Sequence, residues 1–208
     1  MTGRVPPLIG LTGPIGCGKS TIGRMLSDVG GMVIDADRLA RSVTARGEPT
    51  LAAIRGRFGD GVFNPDASLD RAAMAAVVFE DPAALGDLEA IVQPAVRRRL
   101  EAKLAEPATL DVPFVAVEAI KLVESGLAER CDEVWLVECS AATQRQRIVA
   151  RGSDPLDSER RLRTQGGDLS ERLASALEGR VRYRRVSTDG SEEETRERVE
   201  DALADLLA

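Results

Sequence analysis

Short apolar runs separated by helical patterns occur along the whole chain. Pro7 to Thr12, Met32 to Ile34, Val112 to Val117 and Glu133 to Glu138 have the length and composition of buried strands, and Val181 to Thr188 is a further candidate. Continuous apolar strands bounded by turns are typical of a parallel sheet that is covered on both faces.

Helical periodicity fills the segments between these runs. Residues 19–29 repeat apolar positions at the spacing of one helix face, and Gly30-Gly31 ends that pattern. From about 36 to 105 the chain is helical and rich in Ala, Arg and Leu, with breaks expected at Gly59 to Asp66, at Pro82 and at Pro94. Further helices are expected at about 141–151, near 168–178 and at 191–207.

The alternation predicts an α/β fold, with a parallel sheet flanked by helices in a single domain over residues 1–208. In such sheets, ligands bind beyond the carboxyl ends of the strands. Asp35, Glu118 and Cys139 fall at or near predicted strand ends, so topology alone makes them site candidates.

Composition excludes several chemistries. The chain has 28 Lys and Arg against 34 Asp and Glu, a net charge of −6 that argues against non-specific nucleic-acid binding. It has no histidine, so Ser-His-Asp catalysis and His-ligated metals are excluded. No apolar run is long enough to span a membrane. The three cysteines include no C-x-x-C pair, which predicts reduced thiols and a cytoplasmic setting.

A phosphate-binding motif follows the first predicted strand. Residues 13–20 match G-x-x-x-x-G-K-[ST] in full and open a predicted helix, the context that this motif requires. Glycines let backbone N–H groups turn around a phosphate, and the helix adds its positive end. The nucleotide-binding residues predicted from this motif are Gly13, Pro14, Ile15, Gly16, Cys17, Gly18, Lys19, Ser20 and Thr21.

The side chains of this loop have distinct expected roles. Lys19 can reach the β- and γ-phosphates, and the Ser20 hydroxyl can bind Mg²⁺ with Thr21 nearby. Cys17 could be a reactive thiol near a helix N-terminus, or simply a small residue that the loop accommodates. The chain has no Asn-Lys-x-Asp segment for guanine and no Ser-Gly-Gly signature of transport ATPases. The length that remains suits a small-molecule kinase with a helical acceptor region and a lid.

The sequence resembles the dephospho-CoA kinase family across most of its length. The resemblance is carried by the loop after Leu11-Thr12, by Val33-Ile34-Asp35-Ala36-Asp37 and by Leu88-Glu89-Ala90-Ile91. It extends to Gln144, Arg147 and Arg151 in a Q-x-x-R-x-x-x-R helix, and to Arg161 with Gln165. The chain departs from the family pattern at three places. Gln93-Pro94 replaces the family's His-Pro, and Thr188-Asp189-Gly190-Ser191 replaces its Asn-x-Gly-Ser. Residues 118–124, which begin at Glu118, replace its Asp-x-Pro-Leu-Leu-Phe-Glu.

The resemblance implies transfer of the ATP γ-phosphate to the ribose 3′-hydroxyl of dephospho-CoA, with Mg²⁺, in the last step of coenzyme A synthesis. Asp35 is expected to orient that hydroxyl and accept its proton, although a strand-end cap would also explain it. Glu118 is expected to hold Mg²⁺ through water or to support Lys19, or else it is a plain loop carboxylate. Residues 36–105 would form the acceptor region and 152–167 a lid.

Arginines are expected to neutralise the charge of the transferring phosphate. Arg147 and Arg151 lie on one helix face, and Arg161 falls in the polar stretch 152–167. Arg147 and Arg161 are therefore assigned to nucleotide binding, and Arg151 joins Lys19 and Asp35 as a catalytic residue. A solvated arginine face would explain the same pattern.

Three alternatives stay open from the sequence alone. Another small-molecule or nucleotide kinase of this fold would phosphorylate a different acceptor. A nucleotide-gated regulatory ATPase would hydrolyse ATP slowly and form no phosphorylated product. An inactive homologue would bind CoA-like ligands only. The oligomeric state is not predicted.

Overall fold

A parallel sheet organises much of the chain in the computed structural model, which describes residues 6–106, 112–150 and 169–208. Its strands lie in the order β2-β3-β1-β4-β5, and every neighbouring pair is parallel. They are β1 (Leu8–Thr12), β2 (Met32–Asp35), β3 (Val115–Glu118), β4 (Glu133–Glu138) and β5 (Tyr183–Ser187). The predicted parallel sheet flanked by helices is thereby confirmed.

The helices divide between two compact units. One unit is drawn from residues 1–35 and 107–208 and contains the sheet, and the other is residues 36–106 and is helical. The sheet unit holds α1 (Lys19–Asp28), α6 (Ala141–Ala150), α7 (Leu169–Leu177) and α8 (Glu192–Leu207). The helical unit holds α2 (Ala36–Ser42), α3 (Thr50–Phe58), α4 (Arg71–Glu80) and α5 (Pro82–Ala105).

The core of the sheet unit forms because successive strand residues point to opposite faces. On one face, Trp135 and Val137 of β4 pack in the same cluster as Ile22 of α1 and Val199 of α8. On the other face, Leu136 packs with Leu173 of α7. Both faces are therefore apolar, which explains why β1 and β4 read as unbroken hydrophobic runs rather than as alternating ones.

The helical unit has its own core, in which Leu51, Ile54, Val62 and Met74 are buried. Its longest helix, α5, continues through Pro94, so the break expected there is wrong. Proline removes one backbone donor from the helix ladder. The apolar residues Leu88, Ile91 and Val92, which precede the proline, pack against the core of the unit. We infer that this burial outweighs the lost hydrogen bond.

The third strand begins later than expected, at Val115 instead of Val112. Pro113 has no N–H to donate to a neighbouring strand, so the ladder starts only beyond it, where Val115 pairs with Leu8. The expected lid at 152–167 lies outside the described residues. Among the helices that the structure describes, none is both long and apolar enough to cross a membrane.

Candidate active site

Two carboxylates meet at the carboxyl edge of the sheet. Asp35 is the last residue of β2, Glu118 is the last residue of β3, and the two are register partners on neighbouring strands. Leu11 of β1 is the register partner of Glu118 on its other side. The loop that follows β1 therefore leaves the same edge of the sheet next to Glu118, with Asp35 one strand further along. Both residues are predicted at this edge from their positions at strand ends, and the structure places them there.

The loop between β1 and α1 depends on glycine at two positions. Gly13 has a φ of 142°, and a side chain at this position would overlap the carbonyl group of Val137 on β4. Gly18 has a φ of 92° and is the N-cap of α1. Residues with a Cβ strongly disfavour such angles. The glycines thus let the loop pack against β4 and direct the N-terminal amides of α1 toward the site.

Lys19 is folded against its own loop. Its side chain is only 7% exposed, and Nζ donates to the carbonyl oxygens of Gly13 at 2.8 Å and Pro14 at 3.0 Å. These carbonyls hold the ammonium next to the ring of loop amides. A phosphate bound by those amides would offer the ammonium stronger, charged acceptors in their place.

The first turn of α1 is linked to the end of β3. Ser20 Oγ donates to Glu118 Oε1 at 3.1 Å. A Cβ at Gly23 would lie 3.5 Å from Glu118 Oε2, an ordinary van der Waals distance, so the carboxylate lies close to the backbone of α1. A hydroxyl and a carboxylate are the hard oxygen donors that Mg²⁺ prefers, so these residues fit the ion.

The Mg²⁺ donors are few. Among the described residues, no cluster of three or more His, Cys, Asp or Glu could hold a metal alone. Mg²⁺ in nucleotide-binding sites is usually held by one or two protein oxygens, water and substrate phosphates.

Side chains from the opposite end of the sequence support the back of the loop. Gln144 on α6 donates from Nε2 to the carbonyl oxygen of Ile15 at 2.7 Å. Thr188, just after β5, donates from Oγ1 to the carbonyl oxygen of Cys17 at 2.8 Å. Arg147 in turn donates to Thr188, from Nη1 to Oγ1 at 2.7 Å and from Nη2 to the backbone oxygen at 2.8 Å. The structure thus places Arg147 against the loop: it is hydrogen-bonded to Thr188, and its Nη1 would lie 3.4 Å from a Cβ at Gly18.

Asp189 ties the end of β5 to the start of α6. It accepts from Thr143 Oγ1 at 2.6 Å and from the Ser140 amide at 2.8 Å. The hydrogen bond from the Thr143 hydroxyl, with that from the Ser140 amide, holds the pKa of the Asp189 carboxyl below its ordinary value. The ionised carboxylate therefore stabilises the segment that carries Thr188.

The expectation of three reduced thiols is not met. Cys17 of the loop and Cys139 after β4 form a disulfide, with their Cα atoms 5.2 Å apart and 122 residues between them in sequence. The spacing of the cysteines in the sequence could not indicate this pair. The two residues meet because the carboxyl ends of two parallel strands, which are far apart in sequence, lie side by side in the sheet. Cys131 has a free thiol.

Some expected site residues cannot be placed, and others were missed. Arg151 and Arg161 lie outside the described residues, while Thr21 lies in the first turn of α1. Thr188 was not assigned to the site, although it is a strand-end residue like Asp35. The position of Thr188 at the end of a predicted strand is the signal by which this residue could have been found.

The fold and the loop define the class of this protein. A glycine-rich loop between a parallel strand and a helix, with a lysine and a serine at its end and carboxylates on adjacent strands, is the architecture of the phosphate-loop nucleotide-binding proteins.

Comparison with known proteins gives the family. The family model described as Dephospho-CoA kinase matches residues 7–177. A dephospho-CoA kinase of Leifsonia xyli is 43% identical, over 96% of this chain and 98% of its own. One from Geobacter sulfurreducens is 39% identical, over 95% and 97%. The chain belongs to the dephospho-CoA kinase family, which confirms the resemblance and makes it a kinase that uses ATP.

Solved structures agree with the fold. The crystal structure of TT1252 from Thermus thermophilus has a TM-score of 0.82 and 32% identity, covering 99% of this chain and 100% of that one. A dephospho-CoA kinase from Campylobacter jejuni has a TM-score of 0.64 at 17% identity, covering 98% of each chain, and so shares the fold.

Proposed function

We propose that this chain transfers the γ-phosphate of ATP to the ribose 3′-hydroxyl of dephospho-CoA, giving CoA and ADP in the last step of coenzyme A synthesis. The observation that carries the proposal is the meeting of the phosphate loop, Asp35 and Glu118 at one sheet edge in a member of this family. The reaction needs positioning and charge neutralisation more than covalent participation by the protein.

The loop and Lys19 would hold the phosphates of ATP. Backbone amides of residues 13–20 and the N-terminus of α1 bind phosphate oxygens, and the Lys19 ammonium adds a full positive charge. Gln144 and Thr188 keep the loop in shape through the carbonyls of Ile15 and Cys17.

Ser20 and Glu118 would hold Mg²⁺, the serine directly and the glutamate directly or through water. When bound, the ion neutralises charge on the β- and γ-phosphates. Their mutual hydrogen bond at 3.1 Å supports this assignment, because it holds both oxygens close together.

Asp35 is our candidate for the group that receives the acceptor hydroxyl. The ribose 3′-oxygen forms a bond to the γ-phosphorus, the bond to the bridging oxygen of ADP breaks, and the hydroxyl proton passes to the carboxylate. Because the transition state is loose, the proton leaves late, and orientation of the hydroxyl is the larger part of the role of Asp35.

Arginines supply the remaining charge in this proposal. Arg147 supports the nucleotide site through Thr188. Arg151, next along the chain from α6, is proposed to contact the transferring phosphate, and Arg161, in the lid at 152–167, to contact the nucleotide. Both assignments rest on the sequence pattern.

The helical unit is proposed to bind the acceptor. It contains a cavity of about 330 Å³, with Met74, Val78 and Leu88 on its apolar side and Arg71 and Gln93 among its polar groups. Arg71 is fixed there by hydrogen bonds from Nη2 to Thr44 Oγ1 at 2.9 Å and to the Arg41 carbonyl at 3.2 Å. Apolar walls with a few polar groups suit a long, amide-containing acceptor such as dephospho-CoA.

The remaining proposals concern setting and partners. The acceptor of the enzyme is a small molecule and not a nucleic acid, because the net charge of −6 disfavours nucleic-acid binding. The cytoplasm, predicted from the sequence, is the proposed setting because the last step of coenzyme A synthesis belongs there in this proposal.

The test is turnover with ATP, Mg²⁺ and dephospho-CoA, with the product identified by mass. Adenosine, AMP, shikimate and no acceptor serve as parallel reactions. Lys19→Ala is the blank, and Lys103→Ala, which removes a lysine paired with Glu106 on the helical unit, is the matched control. CoA formed only from dephospho-CoA supports the proposal. Phosphorylation of another acceptor, or ATP hydrolysis without a phosphorylated product, contradicts it.

A further inference from the structure

We propose that Cys17 and Cys139 form a reversible oxidation site, at which a hydroperoxide installs a disulfide that ties the phosphate loop to the end of β4 without changing the shape of the loop. The site lies beyond the proposed kinase reaction, which uses neither thiol. Only the ATP-binding arm of the test rests on the proposed function.

The two residues meet the requirements for a disulfide. Their Cα atoms are 5.2 Å apart, within the range of natural disulfides, and their sulfur atoms are joined. They are brought together by topology, since one follows β1 and the other follows the adjacent parallel strand β4.

The exposure of the two thiols differs, which sets the order of events. Cys17 is 1% exposed and packs in the core cluster of the sheet unit, whereas Cys139 is only partly buried at the margin of that cluster. A hydroperoxide therefore reaches Cys139 first, and Cys17 acts as the resolving thiol.

The chemistry balances in two steps. The Cys139 thiolate attacks the terminal oxygen of the hydroperoxide, so an S–O bond forms, the O–O bond breaks and the sulfur is oxidised by two electrons to a sulfenic acid. The electron pair leaves with the other oxygen, which takes up the proton lost by the thiol and departs as an alcohol, or as water from hydrogen peroxide. The Cys17 thiol then attacks this sulfur. The S–S bond forms, the S–O bond breaks, and the leaving hydroxide takes the thiol proton as water. A dithiol reductant reverses the disulfide.

The backbone around both cysteines is already anchored. Thr188 Oγ1 donates to the Cys17 carbonyl at 2.8 Å, and the Thr188 amide donates to the carbonyl of Glu138, which precedes Cys139, at 2.9 Å. The residue after Cys139, Ser140, donates its amide to Asp189 at 2.8 Å. With the disulfide in place, Lys19 still folds over its loop. The link is therefore compatible with the phosphate-binding shape and adds a covalent tie across it.

Cys131 is the matched control thiol. Burial, with a smaller contribution from the Asp132 carboxylate, raises the pKa of Cys131 to about 12. Its Sγ also donates to the Leu127 carbonyl at 3.3 Å. A thiol held neutral in this way reacts slowly with peroxides, so Cys131 stays free while the other pair is oxidised.

The first experiment treats the full-length reduced chain with hydrogen peroxide and follows its intact mass and peptide map. We expect the loss of two hydrogen atoms, a peptide pair joined through Cys17 and Cys139, and a Cys131 that still reacts with iodoacetamide. In Cys17→Ser, dimedone should label Cys139 as the trapped sulfenic acid. In Cys139→Ser, Cys17 should be labelled much less.

The second experiment measures melting temperature and ATP binding. Oxidation should raise the melting temperature of the wild-type chain by about 5 °C or more, since the link closes a long loop of the unfolded chain. The shift should vanish with dithiothreitol and in Cys139→Ser, and persist in Cys131→Ser. ATP affinity of the wild-type chain should be the same in both redox states.

Several outcomes would overturn the proposal. One is oxidation that stops at a stable sulfinic acid, and another is a disulfide that involves Cys131 or a second chain. A third is an oxidised form with a lower melting temperature or a lost affinity for ATP. The mass and melting readouts do not depend on turnover. A chain that oxidises as expected but makes no CoA would therefore contradict the kinase proposal alone.

Discussion

The hydroxyl of Ser20 donates to the carboxylate of Glu118 at 3.1 Å, and so joins the phosphate loop to the end of β3. The two residues are 98 positions apart: Ser20 lies in the first turn of α1, and Glu118 is the last residue of β3. This contact fixes the carboxylate beside the phosphate loop. We expect it to be replaced by shared coordination when Mg²⁺ and ATP bind.

The first prediction concerns Mg²⁺. Glu118→Gln keeps the size of the side chain but removes its charge, so the Mg²⁺ concentration for half-maximal activity should rise by about tenfold or more. The measurement is initial rate against Mg²⁺ at saturating ATP. Glu200→Gln, which changes an exposed carboxylate on α8, is the control and should leave the curve unchanged. An unaltered Mg²⁺ requirement in Glu118→Gln would remove this residue from the metal site.

The second prediction concerns Asp35. Asp35→Asn keeps the size of the side chain, but its neutral amide orients the hydroxyl less strongly than a carboxylate and cannot take the proton, so kcat should fall by about 100-fold or more. The affinity for ATP, measured by calorimetry, should hold, because the loop and Lys19 are untouched. Asp28→Asn, at the end of α1, is the matched control. A kcat for Asp35→Asn close to that of the wild-type chain would reduce Asp35 to a strand-end residue.

The third prediction concerns the support behind the loop. Thr188 is 2% exposed, and Thr188→Val leaves the Cys17 carbonyl and the Arg147 guanidinium without its hydroxyl. We expect a loss of about 1–3 kcal/mol in the free energy of unfolding, together with a higher KM for ATP. Urea unfolding and steady-state kinetics give the two values.

Thr195→Val separates these effects. Thr195 is 3% exposed, and its hydroxyl donates to the carbonyl of Ser191, the N-cap of α8, whereas the Thr188 hydroxyl donates to the phosphate loop. Its replacement should lower stability but leave the KM for ATP as it was. If both variants changed KM equally, Thr188 would have no specific role at the nucleotide site.

The sheet could be predicted from the sequence because its strands are buried on both sides. Such strands read as continuous apolar runs, and β4 at Glu133–Glu138 was predicted with the same bounds. The helical unit was harder to predict. A proline usually ends a helix, yet α5 passes through Pro94, because packing that is distant in sequence overrides a local preference.

The candidate site was predictable where a motif or a strand end marks it. The spacing of glycines, lysine and serine in residues 13–20 indicates phosphate binding. The positions of Asp35 and Glu118 at strand ends indicate that they lie near the ligand. The disulfide between Cys17 and Cys139 could not be predicted, because it forms only if β1 and β4 are neighbours in the sheet. No local sequence pattern indicates the order of the strands.

The fourth prediction concerns Gln93, which stands where the family has a histidine and lines the cavity of the helical unit. If its amide contacts the acceptor, Gln93→Ala should raise the KM for dephospho-CoA by about fivefold, the value of one hydrogen bond. The KM for ATP should not change. Arg98→Ala, at an exposed position on the same helix, is the control. An unchanged KM for dephospho-CoA would remove Gln93 from the acceptor site.

The last prediction concerns acid stability. The carboxyl of Asp189 has its pKa held below the ordinary 3.8, chiefly by the Thr143 hydroxyl. A lowered pKa in the folded chain means that the ionised form stabilises it. That contribution is therefore fully present above the unfolded pKa and is lost as the pH falls through the folded pKa.

Asp189→Asn should accordingly lower the urea midpoint at pH 7, and the gap between variant and wild type should narrow as the pH falls below about 4. Asp201→Asn, which changes an exposed carboxylate on α8, should show no such convergence. A gap for Asp189→Asn that stays constant down to acid pH would mean that the asparagine alters packing, and that the charge of Asp189 does not hold β5 to α6.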